Sequence, residues 1–325
     1  MQRWLERVWY GGGRGGALLS PLAAVFGCIV RARRAAYGHG LLASSADARP
    51  VVVVGNLTVG GSGKTPLVAW LAARLEGRGI RVGIVSRGYG GSSGRAMLVT
   101  RDTDPKLAGD EPVLLARRTG VPVAVGRDRV RAAALLPPEV ALVLADDGLQ
   151  HYRLKRELEI LIVDGERRFG NGRLLPAGPL REPAERAAEV DFTVANGGEV
   201  RSGEIRMRLE PGDVVALAGG ARRPLANFRG QRVHALAAIG NPDRFFRTLA
   251  AAGLEVIPHP HPDHAALTSR DVEFGDGLPV LMTEKDAVKC AALARDGLYW
   301  LEVSAAIEAV DAERLLGAIE ALTRG

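Results

Sequence analysis

Three short stretches of this chain gather cations, carboxylates and glycines at spacings that suit anion and metal chemistry. The first is VVVVGNLTVGGSGKTP, residues 51–66, where an unbroken apolar run leads through glycines to Lys64, Thr65 and Pro66. Residues 58–65 follow G-x-x-x-x-G-K-[ST] except at the first position, where Thr58 stands for glycine. Gly60, Gly61 and Gly63 allow backbone amides to turn inward around a phosphate, and a helix opening at Lys64 adds positive potential there. The stretch Thr58, Val59, Gly60, Gly61, Ser62, Gly63, Lys64 and Thr65 is therefore expected to bind the phosphates of ATP. Lys64 would reach the β- and γ-phosphates, and the Thr65 hydroxyl would serve Mg²⁺. A chance glycine turn would not need the strand before it, the helix after it and an intact G-K-T.

The second stretch is the apolar run 140–145 followed by Asp146-Asp147-Gly148-Leu149-Gln150-His151. Carboxylates at the carboxyl end of a parallel strand face the crevice that also receives a phosphate loop. One of Asp146 and Asp147 is expected to hold Mg²⁺, directly or through water, although D-D-G is also turn chemistry. The third comprises two polar turns, Ser86-Arg87-Gly88-Tyr89-Gly90-Gly91 and Gly109-Asp110-Glu111-Pro112. Arg87 and Tyr89 would lie beside the nucleotide, whereas Asp110 read alone is a helix N-cap. Arg127 and Arg129 follow another strand, where they meet anionic groups or solvent.

The elements that must position these residues show in the hydrophobic pattern. Apolar runs at 51–54, 81–86, 122–125, 140–145, 158–163 and 192–194 alternate with helical patterns such as 66–78 and 111–119. That alternation predicts an α/β fold, a P-loop NTPase-type parallel sheet with helices on both faces. The Gly- and Pro-rich stretch 165–183 reads as a long functional loop. Further strands at 233–238, 256–257, 280–283 and 300–303, with helices at 244–252 and 309–323, predict a second, smaller α/β lobe. The expected division is an N-terminal membrane-associating helical segment 1–38, a kinase-type core 39–200, linker strands 201–230 and the second lobe 231–325. The last helix is expected to be able to pack back on the core.

Composition narrows the partners. The chain has 325 residues, 47% hydrophobic, with 43 Lys and Arg against 37 Asp and Glu, a net charge of +6 that suits an anionic partner. Aromatic content of 5% is too sparse for the stacking platforms of single-strand nucleic-acid binders, and charge alone supports no nucleic-acid role. Cys28 and Cys290 have no CxxC spacing, so neither a disulfide framework nor a zinc cluster is expected, and a reducing cytosolic setting fits. Trp4, Leu5, Val8 and Trp9 share one helical face. An uncharged run from Gly15 to Val30 then meets Arg31, Arg33 and Arg34. As helix that run spans roughly 24 Å, short of a ~30 Å hydrocarbon core, and Pro21 lies within it. It reads as a segment lying in a membrane face rather than crossing it; a buried helix is the plainer alternative.

The combination GNLTVGGSGKTP, SRGYGG, GDEP, DDGLQH, LLPAGPLREP, IGNP, PDH and TEKDAVK spans nearly the whole chain. It resembles the tetraacyldisaccharide 4'-kinase family, the lipid A 4'-kinases of Gram-negative bacteria, in which a threonine at the position of Thr58 is normal. The resemblance implies transfer of the ATP γ-phosphate to the 4'-hydroxyl of a tetraacylated glucosamine disaccharide 1-phosphate, forming lipid IVA. It implies a peripheral or monotopic enzyme on the cytoplasmic face of the inner membrane, using ATP and Mg²⁺. It also implies that Asp110 takes the acceptor's proton, that His264 of the PDH motif orients or tunes it, and that Lys64 is catalytic. Arg87, Tyr89, Glu111, Arg129, Gln150, His151 and Arg181 are expected at the substrate. The proline-interrupted His259, His261 and His264 do not have a metal-ligand spacing. A regulatory or partitioning ATPase on the same loop is the competing class, separable by whether ATP turnover requires the glycolipid. No obligate protein partner is indicated.

Overall fold

The structure, a computed structural model, describes residues 2–11 and 16–324. Residues 1, 12–15 and 325, which the sequence reading assigns to the N-terminal segment and the second lobe, lie outside the described residues.

The strands are β1 (Val51–Gly55), β2 (Val82–Ser86), β3 (Met97–Val99), β4 (Val123–Val125), β5 (Leu142–Asp146), β6 (Leu158–Asp164), β7 (Phe192–Asn196), β8 (Ile205–Ala216), β9 (Arg222–Pro224), β10 (Arg232–Ala237), β11 (Glu255–Pro260), β12 (Val280–Thr283) and β13 (Leu298–Ile307). Among the described residues they form one sheet in the order β11-β10-β12-β13-β8-β7-β6-β1-β5-β2-β4-β3, with β9 paired to β8. Strands β1, β2 and β5 are buried along their whole length, as their unbroken Val, Ile and Leu runs require when both sheet faces are covered.

Two parallel wings meet at one antiparallel seam. Strand β8 runs parallel to β7 but antiparallel to β13. The segment read as linker strands is therefore hydrogen-bonded into both wings. The short edge strand β3, antiparallel to β4, carries no sequence periodicity and was not anticipated.

The helices are α1 (Gln2–Tyr10), α2 (Ser20–Gly38), α3 (Lys64–Glu76), α4 (Pro105–Ala108), α5 (Asp110–Thr119), α6 (Arg129–Ala133), α7 (Pro242–Ala251), α8 (Ser269–Val272), α9 (Glu284–Lys289) and α10 (Ala309–Leu322). Alternation along β1 splits the core of the first wing in two. Val52 and Val54 pack with Leu67 and Leu71 of α3, while Val51 and Val53 pack on the opposite face with Val143 and Leu161. Leu315, Leu316 and Ile319 of α10 join the α3 side, so the last helix returns to the first wing. Each such fully buried side chain contributes roughly 1.5–3 kcal/mol of burial.

At the other end of the chain, α1 packs on the long loop through buried Val8 and through Trp9, whose indole Nε1 donates to the Pro176 carbonyl at 3.0 Å. Trp4 stays 43% exposed, so the expected apolar face is only partly covered. Helix α2 buries its small residues, Ala23 and Gly27, while Leu22, Val25 and Ile29 are each about 60% exposed. Among the described residues, no helix is long and apolar enough to cross a membrane.

Candidate active site

The phosphate loop follows β1 and ends at α3. Gly60 and Gly63 have φ of 104° and 97°, left-handed values that an L side chain resists, and a Cβ on Gly63 would fall 2.4 Å from Asn196 Nδ2. That amide donates to the Ser62 carbonyl at 2.9 Å and fixes the floor of the loop. Pro66 is the third residue of α3, within the first turn, where an N–H has no helical acceptor. Thr58 is buried and bridges antiparallel to Leu180, next to a Val59 N–H to Pro179 carbonyl bond of 2.9 Å. Its φ is not positive. The loop's entry is braced by LLPAGPLREP instead of turning on a glycine, and threonine fits. Lys64 Nζ lies 3.3 Å from Asn56 Oδ1 and 3.5 Å from Asp147 Oδ1, so its ammonium is held over the loop.

The two adjacent aspartates at the end of β5 have opposite environments. Asp146 is buried; Ser86 donates to its Oδ2 at 3.4 Å, while its Oδ1 has no partner. Burial, followed by the charges of Glu111 and Asp147, raises its carboxyl to about 7. Asp147 has a left-handed φ of 51°, which turns it toward Lys64 and toward Arg181 Nη1 at 3.0 Å. Burial alone would raise its carboxyl, but Lys64, Arg181 and Arg129 outweigh that and hold it well below the usual range. Arg129 is itself buried and donates to the carbonyls of Asp146 and Asp147 at 3.2 and 2.6 Å. Its guanidinium thus supports this turn, a role the sequence reading did not give it. His151 is pushed down to about 4 by burial and then by Arg129. Gln150 Nε2 donates to the Asn56 carbonyl at 3.2 Å and to Glu182 at 3.1 Å.

Asp110 opens α5 across the cleft. It is the first helical residue, and the N-cap is Gly109, whose φ is 91° and whose Cβ would strike the Tyr89 carbonyl at 2.5 Å. SRGYGG and GDEP are thus packed backbone to backbone, which brings Arg87, Tyr89 and Asp110 together. Asp110 Oδ1 lies 3.4 Å from His264 Nδ1, which comes from the other wing and carries a left-handed φ of 59°. Such backbone strain persists only where the surroundings enforce it. The Tyr89 ring packs on the His264 ring at 4.7 Å between centroids.

Two residues the sequence reading did not single out complete this group. Lys285 and Lys289, one turn apart on α9, place their Nζ atoms 3.9 and 3.8 Å from Asp110 Oδ2. Lys285 also lies 3.1 Å from Glu111 Oε1 and 3.4 Å from Asp263 Oδ1. Burial raises the Asp110 carboxyl, yet the His264 hydrogen bond and both lysines outweigh it and leave it below its ordinary value. The spacing of TEKDAVK puts both lysines on one helical face, a pattern that by itself does not separate them from solvated lysines.

One cleft of about 1400 Å³ joins these groups. Its walls include the phosphate loop, Arg87, Asp147, Arg181, His264 and Lys285, and it runs to Phe26, Ile29, Val30 and Arg33 of α2. Asp110 and Asp146 sit just behind the wall. The structure therefore brings the three sequence stretches to one cavity.

A profile of the family described as tetraacyldisaccharide-1-P 4'-kinase matches residues 16–321. A tetraacyldisaccharide 4'-kinase of Methylobacillus flagellatus is 50% identical over 324 residues, 98% of this chain and 97% of its own length. One from Pseudomonas aeruginosa is 49% identical over 306 residues, 93% of this chain and 92% of that one. Among solved structures, the "apo" form LpxK from Aquifex aeolicus in complex with ATP has a TM-score of 0.79 at 28% identity, covering 95% of this chain and 99% of that chain.

Proposed function

The chain belongs to the tetraacyldisaccharide-1-phosphate 4'-kinase family, and from that premise we propose how its residues divide the work. The enzyme moves the ATP γ-phosphate to the 4'-hydroxyl of the acylated disaccharide 1-phosphate. Residues 58–65 hold the phosphates, and Lys64 draws charge from the β- and γ-oxygens. Asp110 accepts the proton of the attacking hydroxyl, and His264 orients its carboxylate. A depressed carboxylate is a weak base, but phosphoryl transfer asks mainly for positioning and charge stabilisation. The observation that carries this reading is the Asp110–His264 pair, contributed by two wings and facing the phosphate loop across one cleft.

The residues present fit a magnesium ion. Asp146 offers a buried carboxylate oxygen with no protein partner, close to a hydroxyl-bearing loop, whereas Asp147 is engaged by Lys64 and Arg181. Thr65 and Asp146 would hold the ion, which when bound neutralises phosphate charge. Arg87 and Arg181 stand where anionic groups of either substrate pass, and Glu111, Gln150 and His151 shape the same cleft.

The exposed row Leu22, Val25 and Ile29, followed by exposed Arg31, suits an interfacial helix on an anionic membrane. The same helix lines the cleft, so a glycolipid can enter from the bilayer side. Use of ATP is consistent with a surface at the cytoplasmic face of the inner membrane. The test is transfer from γ-labelled ATP in mixed micelles: label must appear on the glycolipid, and ATP turnover must need it. Full ATP hydrolysis without glycolipid would instead support a partitioning ATPase.

A further inference from the structure

We propose that Lys285 is a positioning residue that fixes the tautomer of His264, and thereby decides which oxygen of Asp110 receives the proton. The inference rests on the reading of Asp110 as base. Lys285 Nζ lies 3.3 Å from His264 Nε2. An ammonium has only hydrogens to give, so Nε2 must be the accepting nitrogen. The imidazole proton then sits on Nδ1, which points at Asp110 Oδ1, 3.4 Å away. The rival acceptor for an Nε2 proton is Asp263 Oδ1, but it lies 3.9 Å from Nε2 and is itself bonded to Lys285 at 3.4 Å. Of the charged groups around the ring, Asp110 and Lys285 favour the Nδ1 proton, Asp263 alone opposes it from 3.9 Å, and Glu111 and Lys289 pair with Lys285 and Asp110 rather than with the ring.

The consequence falls on Asp110. Its Oδ1 accepts from the Glu111 N–H at 3.1 Å and faces His264 Nδ1. Its Oδ2 is buried with no hydrogen-bond partner, flanked by two ammonium groups at 3.8 and 3.9 Å. Those distances are too long for hydrogen bonds, so Oδ2 is the oxygen left for the substrate. In the step itself the acceptor's O–H bond breaks and its proton moves to Oδ2. The acceptor's oxygen, freed of that proton, bonds to the γ-phosphorus as the bond to the ADP oxygen breaks. With the opposite tautomer, Nδ1 would present a lone pair to a carboxylate and push Asp110 away.

The experiment is ¹⁵N spectroscopy of the full-length enzyme in detergent micelles with ¹⁵N-histidine. The His264 signals are assigned among six histidines by their loss in His264→Gln. The expected result is a neutral ring protonated at Nδ1 near pH 7.5. A ring protonated at Nε2, or at both nitrogens, overturns the proposal. Lys285→Met should mix the tautomers and lower kcat about 10- to 100-fold, part of what a general base contributes, with the KM for ATP unchanged. Lys285→Arg, which also only donates, should restore the wild-type spectrum and part of the rate. An unchanged spectrum and kcat in Lys285→Met overturns the proposal; should that variant not fold, the wild-type spectrum still decides. If Asp110→Asn keeps full turnover while His264 is protonated at Nδ1, the base reading fails and the tautomer assignment stands.

Discussion

The phosphate-loop end and the Asp110 end of the cleft are built in different ways. Residues 58–65 and 146–147 follow adjacent parallel strands of one wing, and their partners Asn56, Asn196 and Arg181 belong to that wing as well. The Asp110 end is divided: Asp110 and Glu111 come from α5, whereas Asp263, His264, Lys285 and Lys289 come from beyond the seam. Further along the same contact, Arg118 of α5 pairs with Glu284 of α9 at 2.9 Å. The phosphate-loop end is thus built largely within one wing, with Gly240 of the other against Gly60 and Gly61, whereas the surroundings of Asp110 are complete only when both wings are in register.

The largest expected effect tests the phosphate-loop side. Lys64→Ala should reduce transfer by at least about 10³-fold, since it removes a fixed charge from the transferring phosphate, with the circular dichroism spectrum retained. Turnover near wild type would break the assignment of that end.

The divided side predicts coupling. Asp110→Asn should lower kcat by about 10²- to 10³-fold, within the usual range for a general base, and His264→Ala by less. The double variant should be little worse than Asp110→Asn alone. Losses that multiply would mean the two residues act separately. Nucleotide affinity, measured by titration, should not change in any of the three.

A smaller effect sharpens the contrast between Asp146 and Asp147. The Asp146 carboxyl is raised to about 7, so protons and Mg²⁺ compete for it below that pH. The apparent Mg²⁺ affinity should tighten as pH rises to 7, by up to about tenfold per unit, and level off above it. Asp146→Asn should lose that slope. Asp147, held ionised by Lys64 and Arg181, should impose no such slope, and a slope that persisted in Asp146→Asn would sink the division of roles.

The smallest effect lies outside the cleft. Leu22→Ser with Val25→Ser should leave stability within about 0.5 kcal/mol, as befits exposed positions, and shift the protein from membrane to soluble fractions. Unfolding of that variant would show the stripe to be core.

Sequence legibility follows the same contrast. The placement of the loop 58–65 between a strand and a helix, and of the pair 146–147 at the end of a strand, was readable because those elements are contiguous in the sequence. Strand β12 was read at its observed bounds, since Val280–Thr283 is an apolar run ended by a threonine that caps α9. Lys285 and Lys289 were not read as site residues, because nothing local tells a buried lysine facing an aspartate 175 positions upstream from a solvated one. Arg129 does line the cleft as the sequence reading expects, but its bonds to the carbonyls of Asp146 and Asp147 were not legible because those partners belong to another strand. The seam at β8 was also hidden, since a Gly- and charge-rich stretch looks like a linker until its two neighbours are known.

The return of α10 to the first wing has a consequence for how the protein is made. Leu315, Leu316 and Ile319 close the core around α3, the helix that starts at Lys64. During synthesis those residues leave the ribosome after α3 and after every strand of the sheet has been made. A chain stopped short of residue 309 carries each motif of the nucleotide site but lacks one wall of the core beneath it. The packing of α3, and with it the seat of Lys64, is therefore completed only once residues 309–322 have been made.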